Sequence, residues 1–315
     1  MIHSKASYFF LHLFFFFTIT LTFNFQVSGQ RYLDKVFNSI TISKNISYAS
    51  ETHATSKSKY HLLDLYQPAQ DTVSNRPVII WIHGGGFRFG NKTSRGTPRW
   101  SRLFAERGYV CVAANYRLNK KISLSNREEI MNGCVDAMSD IRQVIAYLKR
   151  ENKRFRIDTT KIILAGNSAG GMVALHSVYS NTELMNSINT LKPGESFFNP
   201  DKIVAVVNLW GALFDSTWLR NQHIPIVSVH GLRDRVVPAQ KVDKGLFGSI
   251  IIYRYANALH IPSSIKIYEK QGHELQRHFN PLWAGTLAHK RWKEVSEFVA
   301  NFLYRVLISE SPNSN

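Results

Sequence analysis

From residue 77 onward the chain alternates short, mainly apolar runs with longer amphipathic stretches. The runs are Val78–Ile82, Tyr109–Ala114, Lys161–Ala165, Ile203–Leu209, Ile226–Val229 and Ile265–Tyr268. Near-continuous Val- and Ile-rich segments of this length predict strands buried on both faces, the condition of a parallel sheet covered by helices. Between them Trp100–Arg107, Glu128–Arg150, Ala169–Ser180, Ser249–Leu259 and Trp283–Leu307 read as helices. The second of these repeats Ile130, Cys134, Ala137, Ile141, Val144, Ile145 and Leu148 at helical spacing, and Ser125-Asn126 ahead of Glu128-Glu129 supplies its start. Upstream, Ser39–Ile46 and Lys59–Tyr66 are strand-like stretches separated by a polar turn, the second closing at Pro68. The expectation is an α/β fold with one mostly parallel, doubly wound eight-stranded sheet, opened by an antiparallel pair and flanked by helices on both faces. Residues 182–202, with Pro193-Gly194 and Pro200, read as a loop insertion, and residues 30–315 as a single domain.

Residues 1–29 follow a different pattern. Lys5 is the only charged residue before Arg31, an apolar run extends from Tyr8 to Phe23, and Val27-Ser28-Gly29 ends it in small residues. This is the pattern of a secretory signal peptide cleaved before Gln30, and it places the mature protein outside the cytoplasm, secreted or periplasmic. A retained anchor fits less well, because the apolar stretch is shorter than the ~20 residues of a comfortable span and is interrupted by Thr18, Thr20, Thr22 and Asn24. No stable membrane association is expected after cleavage. Export makes Cys111 and Cys134 a candidate disulfide, although spacing alone does not establish their geometry. Asn45-Ile46-Ser47 and Asn91-Lys92-Thr93 are sequons that matter only in a host that glycosylates.

Composition narrows the class. A chain of 315 residues that is 44% hydrophobic and 19% charged is not a disordered tail, a collagen-like rod or a coiled coil. Two cysteines exclude a disulfide scaffold. The formal charge of +17 is spread along the chain without any recognition motif, so it reads as a basic surface and not as a nucleic-acid site.

In doubly wound sheets ligands bind beyond the carboxyl ends of the strands, and four strand ends here carry chemistry. The third expected strand runs into His83-Gly84-Gly85-Gly86-Phe87, and the fifth into Gly166-Asn167-Ser168-Ala169-Gly170-Gly171. The seventh runs into His230-Gly231-Leu232-Arg233-Asp234, and the eighth into Gln271-Gly272-His273-Glu274. Glycines on either side of Ser168 permit a sharp strand-to-helix turn that lifts its hydroxyl clear of the sheet. A free hydroxyl is a poor nucleophile, so it needs a base, and the base needs an orienting acid. His273 and Asp234 stand in the right chain order for those roles. The N–H of Ala169 and those of Gly85 and Gly86 are candidate donors to an oxyanion.

Other residues receive lesser readings. Asp215 is the rival acid but reads better as a helix cap before Ser216-Thr217. His83 is expected to order the glycine loop, His230 to be structural, and Asp136 with Asp140 to be a solvated or loop-anchoring pair. Phe87, Phe89, Trp210, Phe214 and Trp218 are candidates to line a pocket. Gly85–Gly90 with Lys92-Thr93 nearly spells a phosphate loop, but Asn91 puts the lysine out of register. His273 and His278 fall at i,i+5, off the shared face a zinc helix needs. No metal and no cofactor are expected.

These motifs resemble the α/β-hydrolase superfamily. Within it they are similar to carboxylesterases with an HGGG loop and a GxSAGG elbow, the group that includes hormone-sensitive lipase-like and feruloyl/acetylxylan esterase-like enzymes. The resemblance spans roughly residues 40–305 and includes Asn115-Tyr116-Arg117-Leu118. It implies Gly85, Gly86 and Ala169 as oxyanion donors, and a serine hydrolase acting through an acyl-enzyme on small-molecule or carbohydrate-linked esters. Asn167 before the serine and Glu274 after the histidine depart from the lipase-like branch. Two other readings stand beside this one. A prolyl oligopeptidase-like peptidase would share the fold, but the chain lacks an N-terminal propeller and its HGGG loop favours esters. A non-catalytic binding protein on a hydrolase fold usually loses a triad residue, and here Ser168, Asp234 and His273 are all present. Oligomeric state is not legible in the sequence.

Overall fold

The computed structural model describes residues 29–48, 58–94, 96–180, 203–242, 245–275 and 284–309. The expected signal peptide, apart from Gly29, and the expected loop insertion at 182–202 lie outside these residues.

Eight strands form the main sheet: β1 (Ile40–Ser47), β2 (Leu62–Pro68), β3 (Arg76–Ile82), β4 (Val110–Ala114), β5 (Ile157–Asn167), β6 (Ile203–Leu209), β8 (Ile226–Gly231) and β11 (Ser263–Tyr268). Their order is β1-β2-β4-β3-β5-β6-β8-β11, and β2 alone runs opposite to the other seven. Each apolar run of the sequence corresponds to one of these strands, and β3, β4 and β6 are buried along their whole length. The helices are α1 (Gly96–Ala105), α2 (Arg127–Arg150), α3 (Asn152–Phe155), α4 (Ala169–Tyr179), α5 (Ser249–Ala258) and α6 (Ala284–Ser309). This is the α/β-hydrolase fold, with its layers set by side-chain alternation. Val78, Ile80 and Ile82 of β3 face a core shared with α2, α4 and α5, whereas Ile79 and Trp81 face one shared with α1 and α6.

Helix α2 starts where its sequence signal stands. The Asn126 side chain accepts from the N–H of Glu128 at 3.0 Å and of Glu129 at 3.3 Å, and Glu129 reaches back to the N–H of Ser123 at 2.6 Å. Helix α1 begins at Gly96, ahead of the expected Trp100. Pro98 sits in the first helical turn, where its missing N–H has no intrahelical acceptor to lose. A second sheet, β7 (Ala212–Leu213), β10 (Leu246–Gly248) and β9 (Lys241–Val242), was not expected. Strands of two or three residues leave no period to detect.

The candidate disulfide is not formed, and Cys111 and Cys134 are both free and buried. The cause lies in the alternation of β4. Cys111 points into the core shared with α1 and α6, Cys134 packs in the core on the other face, and the sheet stands between them. Burial pushes both thiols well above their ordinary range, so they are protonated and inert. Asn45 and Asn91 of the two sequons are exposed.

Candidate active site

At the C-terminal end of β5 the backbone turns sharply into α4, with Ser168 at φ 54° and ψ −122°. This sparsely populated conformation presents the side chain outward at the helix start. It requires a bare backbone opposite, because a Cβ on Gly170 would stand 2.0 Å from the Ile82 carbonyl oxygen. Ser168 Oγ lies 2.8 Å from His273 Nε2. His273 Nδ1 lies 2.7 Å from Asp234 Oδ2. Three side chains from the ends of β5, β8 and β11 thus converge, in the geometry of a nucleophile, a base and an orienting acid.

The carboxylate of Asp234 has no exposed side-chain surface. Its Oδ1 accepts from the N–H groups of Val236 at 2.8 Å and Val237 at 2.9 Å. Its Oδ2 faces both His273 and His230 Nε2, the latter at 3.2 Å. Burial alone would raise the pKa of Asp234, but hydrogen bonds from His230, His273 and Val237 outweigh it and hold the group below the ordinary carboxylate range. It is therefore charged and able to stabilise an imidazolium at His273.

The glycine loop after β3 lies against this elbow, with Gly84 beside Asn167 and Ser168. Gly85 adopts φ +124°, and a Cβ there would stand 2.1 Å from the Phe89 carbonyl oxygen. Among the described residues the N–H groups of Gly85, Gly86 and Ala169 have no backbone acceptor. All three residues line one cleft of about 590 Å³ together with Ser168 and His273. His83 orders the loop as expected, since its Nδ1–H donates to the Gly84 carbonyl at 2.8 Å. Burial pushes its pKa down to about 4, so the ring is neutral near pH 7. The Asn115–Leu118 segment braces it from beneath. Tyr116 stacks on the imidazole at 4.2 Å and donates its hydroxyl to the His83 carbonyl at 3.0 Å. Arg117 is anchored in turn by the fully buried Asp140, its Nη2 at 2.6 Å and its N–H at 2.6 Å from that carboxylate. Asp140 is thus the loop anchor of its pair, and Asp136 stands 3.6 Å from Arg117 Nη1.

The remaining candidates are distributed as follows. Asp215 caps the 3-10 turn Ser216–Asn221, accepting from Thr217 N–H at 2.8 Å. Lys92 is buried in an ion pair with Asp64 at 2.6 Å and is committed to the fold. His278 lies outside the described residues. Phe87, Phe89 and Trp210 line the cleft, but Phe214 and Trp218 do not. They pack against the buried His176, which accepts from the Phe214 N–H at 3.2 Å. Trp100 and Trp292, in contact at 4.3 Å between ring centroids, supply aromatic wall that the sequence reading missed. It also missed Asn208 and Ser249, which back the acid loop. The available signal was polar Asn208 and Ser228 interrupting apolar strands, because buried polar groups need partners. Among the described residues no group of three or more His, Cys, Asp or Glu could hold a metal ion, and no helix is long and apolar enough to cross a membrane.

Known proteins resemble parts of the chain, and the matched family model takes in the glycine loop and Ser168 but ends before Asp234 and His273. Residues 63–215 match the family model described as BD-FAE. A probable carboxylic ester hydrolase, LipM, of Mycobacterium tuberculosis is 28% identical over 172 residues, 52% of this chain and 34% of that protein. Carboxylesterase 3B of Mus musculus is 33% identical over 112 residues, 35% of this chain and 19% of the mouse protein. The matched stretch therefore spans about a third or less of these relatives. Among solved structures, esterase 2 of Thermogutta terrifontis superposes with a TM-score of 0.60 at 19% identity, covering 82% of this chain and 94% of that one.

Proposed function

Taking the chain as an α/β-hydrolase similar to carboxylesterases, we propose that it hydrolyses carboxylic esters by nucleophilic catalysis at Ser168. The observation that carries the reading is the unbroken hydrogen-bonded line from Ser168 Oγ through His273 to Asp234, at 2.8 Å and 2.7 Å, beside a cradle of backbone N–H groups. His273 Nε2 takes the serine proton as Oγ attacks the acyl carbon. Asp234 holds the N–H on Nδ1 and stabilises the imidazolium. The tetrahedral oxyanion is received by the N–H groups of Gly85, Gly86 and Ala169, each worth about 3 kcal/mol of barrier in such sites. His273 then returns the proton to the departing alcohol. A water deprotonated by the same imidazole attacks the acyl-enzyme, the imidazolium returns that proton to Ser168 Oγ as the acyl–oxygen bond breaks, and the acid leaves.

The cleft also bears on substrate class. Phe87, Phe89, Trp100, Trp210 and Trp292 give it broad apolar walls, suited to a small acyl group or to the flat faces of sugar rings. We therefore extend the proposal to small-molecule or carbohydrate-linked esters. Export of the mature chain belongs to the same proposal, and the N-terminal residue of the released protein, expected to be Gln30, decides it. The substrate reading is tested with p-nitrophenyl acetate, butyrate and palmitate, acetylated and feruloylated oligosaccharides, and aminoacyl-anilides at equal enzyme. Short or sugar-linked esters should turn over fastest. Faster anilide cleavage would make the protein a peptidase, and no turnover of any ester would leave a binding protein.

A further inference from the structure

Behind Asp234 lies a second histidine that the reaction as written does not use. His230, at the end of β8, is fully buried. Its Nε2 is 2.7 Å from the Val237 carbonyl oxygen and 3.2 Å from Asp234 Oδ2. Its Nδ1 is 2.7 Å from Ser249 Oγ, at the start of α5. Two of these three neighbours are oxygens without a proton to give, so the tautomer is determined. Nε2 carries the hydrogen and shares it between Val237 O and Asp234 Oδ2, and Nδ1 accepts from the Ser249 hydroxyl. The opposite tautomer would press a ring lone pair against a carbonyl and a carboxylate.

The line continues inward. Ser249 Oγ, its proton given to His230, accepts from Asn208 Nδ2 at 3.1 Å, and the same amide reaches Ser228 Oγ at 3.2 Å. Asn208 Oδ1 accepts from the Gly211 N–H at 2.9 Å and lies close against Gly171, in the first turn of the helix that carries Ser168. Asn208, Ser228, His230 and Ser249 are all buried. A buried polar chain joined link to link by hydrogen bonds is rigid, because moving any member strands another away from water.

We infer that His230 is a positioning residue for the triad, holding the carboxylate of Asp234 in the rotamer that aims Oδ2 at His273. The two backbone N–H groups on Oδ1 fix one oxygen, and rotation about that oxygen is what they leave open. The His230 N–H closes this freedom at Oδ2, and the Ser249–Asn208 line keeps the imidazole facing outward to do so. The inference rests on the serine-hydrolase reading above and deepens it.

Three variants at this position separate positioning from packing. Gln places an N–H donor near the site of Nε2, Asn is too short to reach Asp234, and Leu fills the space without a donor. With a short p-nitrophenyl ester, His230→Asn and His230→Leu are expected to lower kcat by about ten- to a hundred-fold with KM within about two-fold, the pattern of a contact that acts in the transition state. His230→Gln should recover most of the loss. Unfolding midpoints are measured alongside, and Ser249→Ala replaces any variant that does not fold, with a severalfold loss in kcat expected. Equal kcat in all folded variants and the wild type overturns the inference, as does a Gln variant no better than Leu. A wild-type protein without ester turnover would instead overturn the underlying hydrolase reading, so the two failures are distinguishable.

Discussion

Ser168→Ala is expected to lower ester turnover by about a million-fold while leaving the fold intact. The loss is large because, among the described residues, no other hydroxyl in the cleft is bonded to His273 Nε2. Ser94 and Thr97 also line it, but Ser94 Oγ accepts from the Asn91 N–H at 2.9 Å, and the His273 Nε2 contact belongs to Ser168. The fold survives because Ser168 Oγ contributes a contact to His273 and not to the core, while the turn is held by its backbone. The Ser168 N–H donates to the Leu209 carbonyl at 2.8 Å, and alanine retains that bond. Steady-state kcat and the thermal unfolding midpoint check both halves. Substantial residual turnover in a folded variant would point to another nucleophile.

Asp234→Asn is expected to cost about ten-thousand-fold in kcat near neutral pH, and the structure dictates how. The N–H groups of Val236 and Val237 at 2.8 Å and 2.9 Å require an oxygen at the Oδ1 position, so the amide oxygen settles there. The new NH₂ group must then occupy the Oδ2 position, 2.7 Å from His273 Nδ1 and 3.2 Å from His230 Nε2. Facing a donor, His273 keeps its hydrogen on Nε2 and offers an N–H to Ser168 in place of a lone pair. The base is present but holds the wrong proton. Because the geometry changes little, KM should stay close to wild type, and a kcat/KM loss arising mainly from KM would contradict this reading.

The architecture and the convergence of the four strand ends were legible for one physical reason. Strands buried on both faces are mainly apolar, so β3, β5 and β8 stand out as runs, and the residues at their ends can then be placed on one rim. Glycines at Gly85 and Gly170 mark positions where a side chain has no room, which is visible in a sequence as a motif. What escaped depends on facing and on long-range packing. The side of the sheet to which Cys111 points is decided by the phase of β4. The withdrawal of Phe214 and Trp218 from the cleft follows from their packing on His176, and the line Asn208–Ser249–His230 joins elements that no spacing relates. His230 could be read as structural from its place at a strand end, but its partner Asp234 shows only when the loop is folded back on it.

The most direct measurement is the site of covalent capture. The folded protein is treated with a fluorophosphonate, which traps an activated serine, and the adduct is located by peptide mass. A single adduct on Ser168, absent from Ser168→Ala, is the expected result. A folded protein that remains unlabelled, or that carries its adduct on any other residue, contradicts the proposed mechanism.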